Sequence, residues 1–283
     1  MEGSFVPWLY AIGAQVRQVS AHDMAFDPAV MASAVVDTAK LFSLPILCAG
    51  FDLTLWAEAA GCTTDWDAPI PQSVAGGSPD PNPDTVRESE RITTLVEAIP
   101  RIKGAITDRP LACAITGPAT LCQLLELDPS SRMDQFTVGE LITEFVTVLC
   151  ENDVDNVVIV EAGQNDPALA PWVSGKQYSR IAKLANHYNK ATTVLCAQAS
   201  LTEEQVTEFD QLTYVVADPD TTIAADLQNA IKGVAVADFG TGAASMPEGI
   251  DQLTANSYFL TTAGDVDAGC TIEDIQADIA TVS

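Results

Sequence analysis

The sequence predicts an α/β fold, a single (β/α)8 barrel of the TIM type spanning residues 1–283, from three observations. Eight short apolar or β-branched runs alternate with helix-like segments along the chain. Most of these runs end in small, polar or acidic residues, where a barrel places its working groups. No glycine-rich phosphate loop follows an early strand, which separates the pattern from an open doubly wound sheet.

The first run is Val6–Ile12. Asp27-Pro28 reads as a cap with proline at the first helical position, opening a helix over Ala29–Phe42 with apolar residues at helical spacing. The second run, Leu44–Gly50, ends at Phe51-Asp52. Asp67–Pro83 holds many prolines and glycines, Gly76-Gly77-Ser78-Pro79-Asp80-Pro81 among them, so a long loop without regular structure is expected there, over or beside the barrel mouth. Thr85–Lys103 reads as a helix. The third run, Leu111–Thr116, leads through Gly117-Pro118 into a helix over Ala119–Leu127, and another helix is expected over Val138–Asn152. The fourth run, Asn156–Glu161, contains Val157-Val158-Ile159-Val160, the unbroken apolar stretch of a strand buried on both faces. A helix over Gly175–Tyr188 precedes the fifth run, Thr192–Cys196. Leu212–Ala217 ends at Asp218, Gly233–Ala237 at Asp238, and Ser257–Thr262 at Gly264-Asp265. A closing helix starts near Thr271 with Glu273 and Asp274 in its first turn.

Charge sets the class of partner. The chain carries 39 acidic against 13 basic residues, a net charge of -26. Such a surface repels nucleic acid and anionic membranes. The acids are dispersed rather than blocked, which argues for a folded, salt-adapted protein and against an acidic tail. No uncharged apolar run reaches the length of about 18 residues that a membrane span needs. The start lacks a basic segment before its apolar run, so no signal peptide is read and a cytoplasmic location is expected. Seven cysteines occur without a Cys-x-x-Cys pair, and most read as buried free thiols packed as small apolar groups.

The strand ends give Asp52, Thr116, Glu161, Cys196, Asp218, Asp238 and Asp265 as the candidate site, with Gly117 beside Thr116. Converging carboxylates there would suit a metal or a positively charged ligand, although strand ends in so acidic a chain are acidic in any case. His22 reads as a loop residue and His187 as a helix-surface residue, so a zinc site built on two histidines is not expected. No Gly-x-Ser-x-Gly elbow and no phosphate-cradling lysine loop occurs.

Three segments carry a resemblance: Gly50-Phe51-Asp52-Leu53-Thr54-Leu55-Trp56-Ala57-Glu58-Ala59-Ala60-Gly61-Cys62, Ile115-Thr116-Gly117-Pro118-Ala119-Thr120-Leu121, and Tyr258-Phe259-Leu260-Thr261-Thr262-Ala263-Gly264-Asp265 with Thr271–Ala277. Together they resemble the uroporphyrinogen decarboxylase-like superfamily. Its decarboxylase branch implies an arginine-rich N-terminal segment that grips substrate carboxylates, a tyrosine after the Gly-Pro-x-Thr-Leu turn and a late histidine. Here Val6–Gly13 stands in the first place, with Arg17 nearby, Leu124 stands in the second, and the histidine is absent. Asp52 remains where that branch binds pyrrole nitrogens. The branch that moves a methyl group from a methylated corrinoid protein to a thiol such as coenzyme M implies zinc on a His-x-Cys pair and a late cysteine. Val194-Leu195-Cys196 lacks the histidine, and Gly264 stands at the late cysteine's place with Cys270 beyond it, so zinc is not expected. Glu161 falls where this branch carries a glutamate, and the resemblance is closer to it.

The resemblance implies a divergent methyltransferase acting on a small molecule with a corrinoid-type or similar one-carbon donor carried by a partner protein. Asp52, Glu161 and Cys196 are its catalytic candidates, and Thr116, Gly117, Asp218, Asp238 and Asp265 its substrate-binding candidates. A decarboxylase-like tetrapyrrole enzyme and a non-catalytic ligand-binding barrel stay open beside it. The net charge makes a direct prediction. Salt screens self-repulsion, so the melting temperature rises steeply from low to molar potassium chloride. A melting temperature flat across that range would remove the salt-adapted reading.

Overall fold

The computed structural model describes residues 5–66, 72–74, 82–161, 176–196, 201–217, 219–248, 250 and 258–282. Eight parallel strands form one sheet: β1 (Phe5–Trp8), β2 (Leu47–Ala49), β5 (Leu111–Thr116), β6 (Asn156–Val160), β7 (Ala191–Leu195), β8 (Tyr214–Val216), β9 (Ile231–Ala235) and β10 (Tyr258–Asp265). Their order is β1-β10-β9-β8-β7-β6-β5-β2. This is the expected (β/α)8 arrangement, nearly closed: β1 and β2 end the ladder, and their side chains Val6, Trp8 and Cys48 meet in one interior cluster.

Helices fill the intervals between strands. They are α1 (Ile12–Arg17), α2 (Ala21–Phe26), α3 (Pro28–Leu41), α4 (Leu53–Ala59), α5 (Glu90–Ala105), α6 (Pro118–Leu124), α7 (Arg132–Glu151), α8 (Lys176–His187), α9 (Glu203–Thr207), α10 (Pro219–Ala224) and α11 (Ile272–Val282). Asp27 caps α3 as its sequence position suggests, accepting from the amides of Ala29 at 2.7 Å and Val30 at 3.1 Å. The apolar stripes of α3, α5 and α7 pack on the outward faces of the strands in one continuous core.

Strand alternation separates two apolar layers. Outward residues such as Leu47, Cys113, Ile115, Val157 and Ile159 join the helices. Inward residues, among them Trp8, Cys48, Ala114, Val158, Leu195, Val216 and Phe259, fill the barrel. Six of the seven free cysteines are buried in these layers. Burial raises their thiols where the shift is resolved, Cys62 to about 11 and Cys122 to about 12, so these thiols stay protonated. Gly233 faces inward, and its missing side chain makes room for Phe259 and Val216.

Several elements depart from the sequence reading. The first run is a strand only to Trp8, because the Asp265 carboxylate takes the amides of Tyr10 and Ala11 out of the ladder; Ile12 already opens α1. His22 lies inside α2 rather than in a loop, since Ser20 caps that helix through the Asp23 amide. Thr85–Lys103 is not one helix: a 3-10 turn over Pro83–Glu88 is capped by Asn82, and α5 begins after Ser89. Ser131 caps α7 at Arg132, six residues before the expected start at Val138. Within the proline-rich stretch expected to lack regular structure, β4 (Gln72–Val74) pairs antiparallel with β3 (Thr63–Asp65). The remainder of Asp67–Pro83, apart from Asn82 and Pro83, lies outside the described residues.

Two glycines separate crowding from chain entropy. A Cβ on Gly233 would lie 2.5 Å from Val216 Cγ2 and 2.6 Å from Phe259 Cζ, whereas one on Gly104 in α5 meets nothing within 4 Å. Gly233→Val is expected to destabilise by about 1–3 kcal/mol or more through overpacking. Gly104→Ala is expected to stabilise by about 0.5–1 kcal/mol. Urea unfolding in molar potassium chloride checks both signs.

Candidate functional site at the barrel mouth

Asp52 follows β2 and caps α4. Its Oδ1 accepts from the Thr54 amide at 2.9 Å and the Thr54 hydroxyl at 2.7 Å. Its Oδ2 accepts from Nη2 of Arg91, a residue of α5 whose side chain has no solvent contact. Arg91 Nη1 donates to Thr54 Oγ1 at 2.9 Å and to Glu58 Oε2 at 3.2 Å. The guanidinium lies 4.9 Å from the Trp66 ring centroid and 5.9 Å from that of Phe26, within cation–π range. Asp52 therefore enters the mouth already paired, with 18% of its side chain exposed. Sequence reasoning missed Arg91, because an arginine at the start of a polar helix carries no sign of burial.

Asp265 closes β10 and binds β1 to the same corner, accepting from the amides of Tyr10 at 2.7 Å and Ala11 at 2.8 Å. Dense packing around this half-buried residue pushes its carboxyl well above the usual carboxylate range; the two amides oppose the shift and the charge of Asp52 adds to it. Desolvation also raises the Tyr10 phenol, with Asp52 raising and Arg91 lowering it and smaller contributions from Asp265 and Cys48. Tyr10, Asp52, Asp265, Arg91 and Cys48 thus share one electrostatic neighbourhood. Trp8 and Phe51 form the apolar wall beside them, stacked with centroids 5.2 Å apart and planes 24° apart.

Glu161 lies at the same end of the barrel but turns outward. It accepts from the amides of Ala119 at 3.2 Å and Thr120 at 2.9 Å, from Thr120 Oγ1 at 2.7 Å, and from the hydroxyl of Tyr178 on α8. This explains the Gly117-Pro118-Ala119-Thr120 turn physically. A Cβ on Gly117 would stand 2.3 Å from the Glu161 carboxyl carbon, and Thr120 supplies two of the donors. Burial raises the Glu161 carboxyl, opposed by these hydrogen bonds. Thr116 donates to the Leu53 carbonyl at 2.8 Å and so joins the turn to α4. Cys196 is buried, its thiol donating to the Val216 carbonyl at 3.2 Å, close enough to Tyr178 to raise that phenol.

The expected residues therefore divide. Asp52 and Asp265 share a corner with Tyr10 and Arg91. Glu161, Gly117 and Cys196 gather around Thr120 and Tyr178. Asp238 is exposed in a left-handed turn (φ 53°) whose carbonyl accepts from Thr241 Oγ1 at 2.6 Å. Asp218 lies outside the described residues. Among the described residues, no three His, Cys, Asp or Glu side chains stand in a metal-holding group. His187 is exposed at the end of α8, edge-on to Tyr188. Among the described residues no helix is long and apolar enough to cross a membrane.

This architecture defines an eight-stranded parallel (β/α) barrel, and solved structures share it. A methyltransferase from Methanosarcina mazei superposes with a TM-score of 0.73 at 14% identity, over 99% of this chain and 92% of its own. A B12-independent methionine synthase from Shewanella sp. W3-18-1, in complex with selenomethionine, gives 0.56 at 11% identity over 90% and 86%. A D-allulose 3-epimerase from Methylomonas sp. gives 0.53 at 8% identity over 99% and 96%. No protein family's sequence profile matches the chain, and no curated protein matches it in sequence.

The Glu161 cradle predicts a pH signature. Its folded carboxyl is raised, so the associated stability is fully present below the ordinary glutamate value of about 4.3 and is lost as pH rises through the folded value. Tyr178→Phe removes a donor that holds the carboxyl down, so it deepens that loss. The variant's deficit is expected to grow from pH 4 to pH 7, reaching about 1–3 kcal/mol. Urea unfolding across pH in molar salt measures it, and an equal deficit at both ends would contradict the role of the Tyr178 hydroxyl in holding the Glu161 carboxyl down.

Proposed function

We propose that this chain is a methyltransferase built on a (β/α)8 barrel, acting at the corner of Asp52, Asp265 and Tyr10 on a neutral or cationic small molecule. The carrying observation is the state of Arg91. The guanidinium at this corner is fully buried and already paired with Asp52 and Glu58, while Arg17 is bound to Asp37 on the surface. Among the described residues of this corner the one cation, Arg91, is already engaged, so a substrate bearing several carboxylates would meet mainly acids, which disfavours the decarboxylase alternative. The shared fold with the Methanosarcina mazei enzyme over nearly the whole chain supports methyl transfer.

In this proposal Asp52, held in one orientation by Arg91 and Thr54, orients the acceptor. The methyl carbon bonds to the acceptor's lone pair, and the donor keeps the electrons of the broken bond. The acceptor's S–H or N–H proton passes to Asp265, whose burial raises its affinity for a proton. The donor class is a methylated corrinoid presented by a partner protein, or a similar one-carbon carrier. Glu161 acts as a positioning residue through α6, and Cys196 packs behind it.

Two parallel assays in molar salt test this, one of methylcobalamin-to-thiol transfer and one of uroporphyrinogen decarboxylation. Methyl transfer is expected, reduced about 100-fold or more in Asp265→Asn, on the scale of a lost acid–base group. Exposed Asp108→Asn serves as the neutral control. Porphyrinogen turnover abolished by Asp52→Ala would overturn the assignment. Silence in both assays with an intact fold would favour a ligand-binding barrel without catalysis.

A further inference from the structure

Trp8 and Trp56 are both fully buried, and the fold treats their indole N–H groups differently. Trp56 donates to the Ala114 carbonyl at 2.7 Å. Trp8 Nε1 is buried with no acceptor among the described residues. Its backbone is already satisfied, the amide by Thr262 Oγ1 at 3.1 Å and the carbonyl by the Val266 amide at 2.9 Å. Buried N–H groups in native proteins nearly always have a partner, so a lone one calls for an acceptor that the described residues do not supply. Trp8 ends β1 at the face where barrels bind ligands. Its ring stacks on Phe51 in a cluster with Cys48, Leu195, Val216 and Phe259.

We propose that Trp8 is a ligand-binding residue whose indole N–H donates to an uncharged amide or heteroaromatic acceptor lying against the Trp8–Phe51 pair. The geometry selects this class. The side chains packed around the ring are apolar and cover it in this structure, so a ligand end that takes their place is flat and largely apolar with one acceptor. Asp265 pairs with Trp8 in the β1–β10 register, and at the adjoining corner two carboxylates, Asp52 and Glu58, share the one cation Arg91, so an anionic acceptor would be repelled. The inference rests on the mouth as the binding site, as proposed above, but not on methyl transfer; binding with no methyl transfer would leave it standing while removing the catalytic proposal.

The test uses the full chain with 15N-labelled indoles in molar potassium chloride, titrated with nicotinamide and benzamide and, separately, with nicotinate and benzoate. The Trp8 resonance, assigned by its loss in Trp8→Phe, is expected to move downfield and saturate with the amides. Trp8→Phe is expected to weaken amide binding about tenfold, as is the change from amide to carboxylate. Should Trp8→Phe misfold, 3-benzothienylalanine at position 8 keeps the ring size without the N–H, and the wild-type titration stands alone. A Trp8 resonance that neither amide moves would assign the N–H to trapped water and overturn the proposal. Amide binding unchanged without the N–H would overturn it equally.

Discussion

A guanidinium with no solvent contact organises the mouth of this barrel. Arg91 reaches from the first turn of α5 to Asp52 at the end of β2, to Thr54 and Glu58 on α4, and against the rings of Trp66 and Phe26. Glu58 in turn accepts from Thr64 of β3 at 2.6 Å, so the small hairpin is joined to the same cation. A buried charge is tolerated only with close partners, and here two carboxylates, a hydroxyl and two ring faces surround it. The Nε lacks an acceptor among the described residues, while the Trp66 and Phe26 rings lie within cation–π range of the guanidinium. This arrangement orients Asp52 and occupies the cation that an anionic substrate would have needed.

The chain's acidity has a structural use as well as an electrostatic cost. Asp265 holds the amides of Tyr10 and Ala11, and Glu161 those of Ala119 and Thr120. Asp278 on α11, nearly fully buried, gathers the amides of Gly240, Gly242 and Ala244. Asp210 takes those of Gln228, Asn229 and Ala230, and Asp155 that of Leu111 while also meeting Lys103. Each carboxylate satisfies donors that loops and helix starts would otherwise leave open. The acids that suggested a converging cation site at the strand ends are in large part engaged in this way.

The mouth that results has two characters. Toward β1 and β2 lie the aromatic pair Trp8–Phe51 and the acids of the Arg91 corner. Toward β6 and β7 lie Glu161 and Cys196, turned outward into the packing of α6 and α8. The proposed ligand chemistry lies on the first side, and the second side packs against the helices. One sheet end serves both roles because alternate residues of a strand point to opposite faces.

The sequence by itself determined the barrel class, most strand positions, the Asp27-Pro28 helix start and the buried character of β6, because these depend on local periodicity and capping chemistry. It also placed Asp52, Glu161 and Cys196 at one end of the sheet, since a strand end is visible where an apolar run stops. Tertiary structure decided the partners. Asp52 and Arg91 are 39 residues apart, Glu161 and Thr120 are 41, and Asp265 and Tyr10 are 255. A hydrophobic period reports which face of an element is buried, not which distant side chain meets it. The short β3–β4 hairpin escaped for a related reason: its composition reads as loop, and only the pairing of Thr63–Asp65 with Gln72–Val74 makes it strand.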